Sequence, residues 1–205
     1  RFFGGFLQSA RDTMREDGML PGIIPTDVWG YDWGNGPVSE GVIYEMPWQI
    51  YRYTGDPTQL ITCLPYYLKS LASFKTRENA QGFCDHGLID WIPPQFPAES
   101  TVPRPMVAGS LVIHLMEIAC EAARLAGEAQ TYEKLRQEYE TYRRRYMDAF
   151  LDESGRCVMD HQTPVAMIIA FHLYDELEPL KQQLKALVEK ADFHGDCGMV
   201  GIRRL

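Results

Sequence analysis

Apolar residues recur along most of the chain at spacings of three and four. Leu111, Leu115, Ile118, Ala122 and Leu125 share one face of a helix expected over residues 106–127, with Gly127 as its stop. Tyr132, Leu135, Tyr139, Tyr142, Tyr146 and Phe150 predict a second helix ending before Asp152-Glu153-Ser154-Gly155, and the short link makes the two a hairpin. Leu60, Leu64, Leu68, Leu71 and Phe74 predict another after Asp56-Pro57, where Asp56 caps and Pro57 opens the first turn. Residues 162–173 and 178–191 form a further pair, the second carried by Leu180, Leu184 and Leu187. With residues 2–15 and 44–53, about seven helices are expected. Alternation of the strand type is almost missing, so the fold class is all-α.

The connections are unequal. Those inside each helix pair are short, whereas residues 18–41 and 82–105 are long and combine Gly, Pro, Trp and Asp. Loops beyond about 15 residues are functional or disordered as a rule, and these are too aromatic for disorder. Hairpins set side by side would gather the long loops at one end, where a pocket can form.

Composition narrows the partners. A chain of 205 residues with 45% hydrophobic content can bury a core, and its formal charge of −8 argues against a nucleic-acid partner. The one dense basic cluster, Arg143-Arg144-Arg145, reads as a solvated helix face. No uninterrupted apolar run approaches the roughly 18 residues of a membrane span, so no membrane partner is expected. Nothing at the start reads as a signal peptide, which favours the cytoplasm, and the two ends suggest a piece of a longer protein. The five cysteines are an odd number without a C-x-x-C pair, so reduced thiols are expected and a zinc site is not. Cys63 and Cys120, inside helical patterns, read as buried.

Aromatic rings beside carboxylates and amides are what a sugar needs, because a pyranose offers a C–H face to Trp or Tyr and a rim of hydroxyls to charged acceptors. The first long loop and the helix after it supply Trp29, Tyr31, Asp32, Trp33, Asn35, Glu40 and Glu45, and the second loop supplies Asp85, His86, Asp90 and Trp91. Trp29 and Trp33 could equally cap the core. Trp48 reads as a core anchor, and His114 and His172 as core or flank, while His161 and His194 lie in loops. No nucleophile elbow, phosphate loop or H-E-x-x-H motif occurs, so no metal or cofactor is expected. Paired carboxylates for glycoside hydrolysis remain, with Glu40 and Asp90 as candidates.

Three stretches carry a family resemblance: Asp17-Gly18-Met19-Leu20-Pro21-Gly22-Ile23-Ile24-Pro25, Met46-Pro47-Trp48-Gln49-Ile50-Tyr51-Arg52-Tyr53-Thr54-Gly55-Asp56, and Gly87-Leu88-Ile89-Asp90-Trp91. In this order, and with His161-Gln162-Thr163 and the glycine-rich segment His194-Gly195-Asp196-Cys197-Gly198-Met199-Val200-Gly201, the chain resembles the catalytic domain of bacterial α-L-rhamnosidases, six-hairpin glycosidases of glycoside hydrolase family 78. The resemblance implies an (α/α)6 barrel, partial here, with residues 1–205 part of one catalytic domain. It implies a general acid upstream of the region matching residues 18–25 and a general base beyond the region matching residues 195–205. This chain would then be a central slice, with apolar flanks that the full ring covers. The implied partner is a carbohydrate, a rhamnoside, which the resemblance sets against Trp91 with Asp90 and against Trp33 or Glu40; Asp32, Glu45 and His194 are further candidate contacts. Relatives often have Trp-Gly-Asp where this sequence has Ser39-Glu40-Gly41. Another sugar of the six-hairpin class, or a carbohydrate-binding helical domain without catalysis, fits the same residues.

Overall fold

The computed structural model describes residues 2–26, 28–94 and 100–205. Among these, helices are α1 (Phe2–Thr13), α2 (Pro37–Glu40), α3 (Val42–Thr54), α4 (Thr58–Thr62), α5 (Leu64–Lys75), α6 (Arg104–Leu125), α7 (Ala129–Phe150), α8 (Gln162–Ala170) and α9 (Glu178–Lys190). No strand occurs among the described residues, only isolated bridges joining Glu78 to Cys84 and Leu151 to Cys157.

All seven expected helices form. The stretch predicted as one helix from Leu60 is broken into α4 and α5 at Cys63, with Pro65 in the first turn of α5. The break shifts the phase of the buried face. Tyr67 turns inward, fully buried and stacked on Tyr44 at 4.3 Å, while Leu68 is 38% exposed, against the predicted stripe. Asp56 caps from just outside α4, its Oδ1 accepting the Thr58 amide at 2.9 Å.

Neighbouring helices pair, α3 with α4, α6 with α7, and α8 with α9, while α1 lies against α3 and α5 meets α3 through the Tyr44–Tyr67 stack. Helix α6 is the spine, packing on α3, α5, α7 and α8. It is long and apolar enough to cross a membrane, contrary to the expectation from apolar runs, yet 83% of its most apolar window is buried inside the fold. Its hydropathy belongs to a core helix. Gly109 gives Tyr146 of α7 room to lie on α6, where the Tyr146 hydroxyl donates to the Met106 carbonyl at 2.9 Å. All five cysteines are buried and free, and burial pushes the thiols of Cys84, Cys120, Cys157 and Cys197 up to about 11.

The links at residues 55–57, 126–128 and 171–177 are short, whereas the two long connections, before α3 and before α6, meet each other at Gly36 and Gly87. The basic triplet does more than face solvent. Half-buried Arg143 donates to the carbonyls of His172 and Tyr174, and Arg145 donates to the Gly82 carbonyl at 2.8 Å, so the triplet ties α7 to loops on both of its sides. Between α1 and α3 an apolar groove lined by Met46, Ile50 and Tyr53 stays open, an exposed flank of the kind an arc of hairpins leaves.

Candidate functional site

The first long loop is shaped by Glu40. Its carboxylate is fully buried and accepts four hydrogen bonds. Oε1 takes the Gly36 amide and Arg77 Nη1, each at 2.6 Å; Oε2 takes the Leu20 amide at 3.1 Å and Arg77 Nη2 at 3.3 Å. A carboxylate has about four lone-pair positions, and all are used. Leu20 and Gly36 are thereby drawn to one point, and the intervening chain is thrown outward with Trp29 and Trp33 on it.

The second loop is anchored in the same way by Asp90. It too is fully buried. Oδ1 accepts the amides of Val200 and Gly201, each at 3.0 Å, and Oδ2 accepts the Gly198 amide at 2.7 Å together with the Thr163 hydroxyl. This bond set joins the loop before α6, the start of α8 and the glycine-rich segment after α9.

The two loops meet at Gly36 and Gly87. A Cβ on Gly87 would lie 2.0 Å from the Asn35 carbonyl oxygen, and one on Gly36 would lie 2.7 Å from that of His86. Both backbones have positive φ, 104° and 89°, so only glycine fits this crossing. Asn35 completes it: Oδ1 lies 2.8 Å from His86 Nε2 and Nδ2 donates to the Tyr31 carbonyl. Arg104, at the start of α6, donates to the Gly87 carbonyl at 2.9 Å.

These anchors bring three tryptophans together. Trp33 and Trp91, from different loops, stand edge to face with ring centroids 6.2 Å apart and planes at 80°. The Trp29 ring centroid lies 4.9 Å from that of Trp33, the planes tilted by 39°. All three are exposed, Trp29 by 51%, Trp33 by 39% and Trp91 by 38%. An open corner of indole faces is a surface for a flat, weakly apolar ligand face. Asp32, the residue before Trp33, is exposed as well.

The predicted site residues therefore separate. Asp32, Trp33 and Trp91 belong to the exposed corner. Glu40 and Asp90, the candidate carboxylates, lie apart from it: both are buried, and each carboxylate accepts four hydrogen bonds from protein donors. Glu45 forms a different cluster. Its Oε1 lies 3.1 Å from Arg204 Nη2 and 3.1 Å from His114 Nε2, and Glu117 Oε2 lies 3.6 Å from His114 Nδ1. Phe171 is stacked on the His114 imidazole at 4.6 Å, with the Arg204 guanidinium 4.7 Å from its ring centre. Burial alone would raise the Glu45 carboxyl, but His114 and Arg204 outweigh it and bring it down to about 2. Burial would lower His114, and the carboxylates of Glu117 and Glu45 turn that into a rise. His194 is exposed at the end of α9, its Nδ1 near the Ala191 carbonyl, and none of its hydrogen bonds reaches the tryptophans. Sequence reasoning missed Arg77, Thr163 and Arg204. Only the charge of Arg77 and Arg204 marked them, and many surface residues share that mark.

The chain is an arc of helix pairs whose two long loops carry an exposed aromatic corner. Comparison with known proteins gives the family. Residues 1–205 match the bacterial alpha-L-rhamnosidase 6 hairpin glycosidase domain, and the chain belongs to that family. It is 28% identical over 217 residues to an alpha-L-rhamnosidase of Formosa agariphila, covering 98% of this chain and 22% of that protein. The solved alpha-L-rhamnosidase of Streptomyces avermitilis, complexed with L-rhamnose, superposes with a TM-score of 0.89 at 21% identity over 100% of this chain and 19% of its own. The alpha-L-rhamnosidase of Dictyoglumus thermophilum gives 0.88 at 20% identity over 99% of this chain and 24% of its own. The fold is thus a partial (α/α)6 barrel, and the chain spans about a fifth of the length of the curated relatives it matches.

Proposed function

We propose that residues 1–205 form part of a single catalytic domain that releases terminal α-L-rhamnose from a rhamnoside with inversion. The observation that carries this reading is the Trp33–Trp91 corner, mounted on the two long loops of a chain that belongs to a rhamnosidase family. The sugar packs its C–H face on one indole while the other closes its edge, and Asp32 accepts from a hydroxyl at the rim. A carboxylic acid protonates the leaving oxygen and a carboxylate activates water on the opposite face of the ring. By resemblance to the family both come from segments other than this one, and the buried Glu40 and Asp90 are spent on protein donors. Glu45, held ionised by His114 and Arg204, and His194 serve as further sugar contacts or as supports of the wall.

The test is hydrolysis of p-nitrophenyl α-L-rhamnoside by the protein encoded by the complete open reading frame, beside Trp33→Ala and Trp91→Ala. Activity on the rhamnoside that falls in both variants, with inverted rhamnose as first product, is the expected result. Activity on a different glycoside alone would replace the sugar, and none across a glycoside panel would leave a carbohydrate-binding or structural domain.

A further inference from the structure

Asp90 sits directly before Trp91 and is out of reach of any ligand. Its four acceptor positions are filled by Thr163 Oγ1 and the amides of Gly198, Val200 and Gly201. The main chain on either side is caught in the same knot. Met199 N donates to the Trp91 carbonyl at 2.7 Å, so one hydrogen bond holds Trp91 itself while its neighbour holds the turn. Gly198 packs so closely that a Cβ would lie 2.4 Å from the Trp91 carbonyl oxygen and 2.7 Å from that of Asp90. Just beyond, Ile92 has φ of 54°, a left-handed conformation that β-branched residues avoid and that surrounding contacts must impose. The Trp91 ring, by contrast, has no hydrogen bond of its own among the described residues, and the tryptophan packed on it is Trp33, edge to face. Its direction is inherited from the backbone that Asp90 ties down.

We infer that Asp90 is a positioning residue: it fixes the ring of Trp91 by gathering three amides and one hydroxyl on a single buried charge. Its bearing on sugar recognition rests on the reading of the tryptophan corner given above. The charge is essential to the device. An asparagine in its place turns an N–H toward donors at one of the two oxygen positions and leaves a buried amide without an acceptor. The knot then loosens, and Trp91 leaves the 80° arrangement against Trp33.

The experiment compares wild type, Asp90→Asn, Trp91→Ala and the double variant, each in the complete open reading frame, with Thr163→Val as a milder lesion that removes one donor. KM and kcat are measured on p-nitrophenyl α-L-rhamnoside, L-rhamnose binding by tryptophan fluorescence, and the near-ultraviolet circular dichroism of each protein without sugar. Asp90→Asn is expected to weaken sugar binding and raise KM by about two- to tenfold, the worth of one aromatic contact. In the Trp91→Ala background the same change should add almost nothing. Additive losses, an unchanged KM with a fall confined to kcat, or a wild-type-like Asp90→Asn would each overturn the assignment. If Asp90→Asn does not fold, Thr163→Val carries the same comparison with a smaller loss. The dichroism separates the two readings: a wild type that binds no sugar removes the proposed function. A tryptophan band altered by Asp90→Asn only when Trp91 is present still upholds the positioning role, and a band altered equally without Trp91 rejects it.

Discussion

In the α6–α7 hairpin, Leu111, Leu115 and Ile118 of α6 and Leu135, Tyr142 and Tyr146 of α7 are all buried in one apolar core, and the main chain is regular helix. At the loop end the corresponding work falls to Glu40 and Asp90, two buried charges with four donors each. The contrast has a physical cause. A loop that must leave its tryptophans bare cannot bury them to hold itself in place, and its irregular backbone has amides that no helix accepts. A carboxylate beneath the loop answers both needs, because it accepts several amides at once and each bond is charge-assisted. Apolar burial, by comparison, tolerates local rearrangement and specifies position less sharply.

The largest expected effect comes from breaking the charged anchor on one side. Arg77→Met leaves Glu40 buried with two amides and no countercharge, and chemical denaturation should show a loss of about 3–5 kcal/mol. A loss under about 1 kcal/mol would mean that the loop end is held by apolar contacts after all. In the hairpin, Ile118→Ala should cost about 3 kcal/mol through the cavity it leaves, with sugar binding unchanged. Tyr146→Phe should cost about 1 kcal/mol, since it strips only the hydrogen bond to the Met106 carbonyl. Trp33→Ala should reverse the pattern, weakening the sugar by about 0.5–1.5 kcal/mol in a binding titration while the unfolding midpoint stays in place.

The smallest effect is a pH dependence at the Glu45 cluster. The raised His114 stabilises the folded state fully below its ordinary value of 6.5, and that contribution fades as pH climbs through the higher folded value. The melting temperature of wild type minus that of His114→Gln should therefore be largest in mild acid and shrink toward alkaline pH. The lowered Glu45 acts on the other side: its contribution is present above 4.5 and is lost as pH falls toward about 2. A difference that stays flat across both ranges would detach the cluster from stability.

Much of this was legible beforehand. The three–four spacing of Leu111 through Leu125 and of Tyr132 through Phe150 gave both helices of the central hairpin, and the unequal loops singled out the two connections that meet at Gly36 and Gly87. Trp33 and Trp91 were legible as candidates because they are large aromatics in long loops, and the structure leaves both partly exposed. Glu40 and Asp90 were legible as important but not in their roles. A carboxylate in a glycine-rich loop reads the same whether it points at a ligand or at its own backbone, and the partners that decide lie at Arg77 and at residues 198–201, 37 and up to 111 positions away. The break at Cys63, which exposes Leu68, likewise turns on how α4 and α5 pack and not on a local signal stronger than Pro65.

What the sequence determined by itself is the set of helices, their pairing as hairpins and the aromatic character of one end, because periodicity and turn chemistry act over neighbouring residues. Only the tertiary structure decided which carboxylates are free and which are saturated, since that depends on amides and guanidinium groups brought in from distant segments, and solvent access is a property of the whole packed chain.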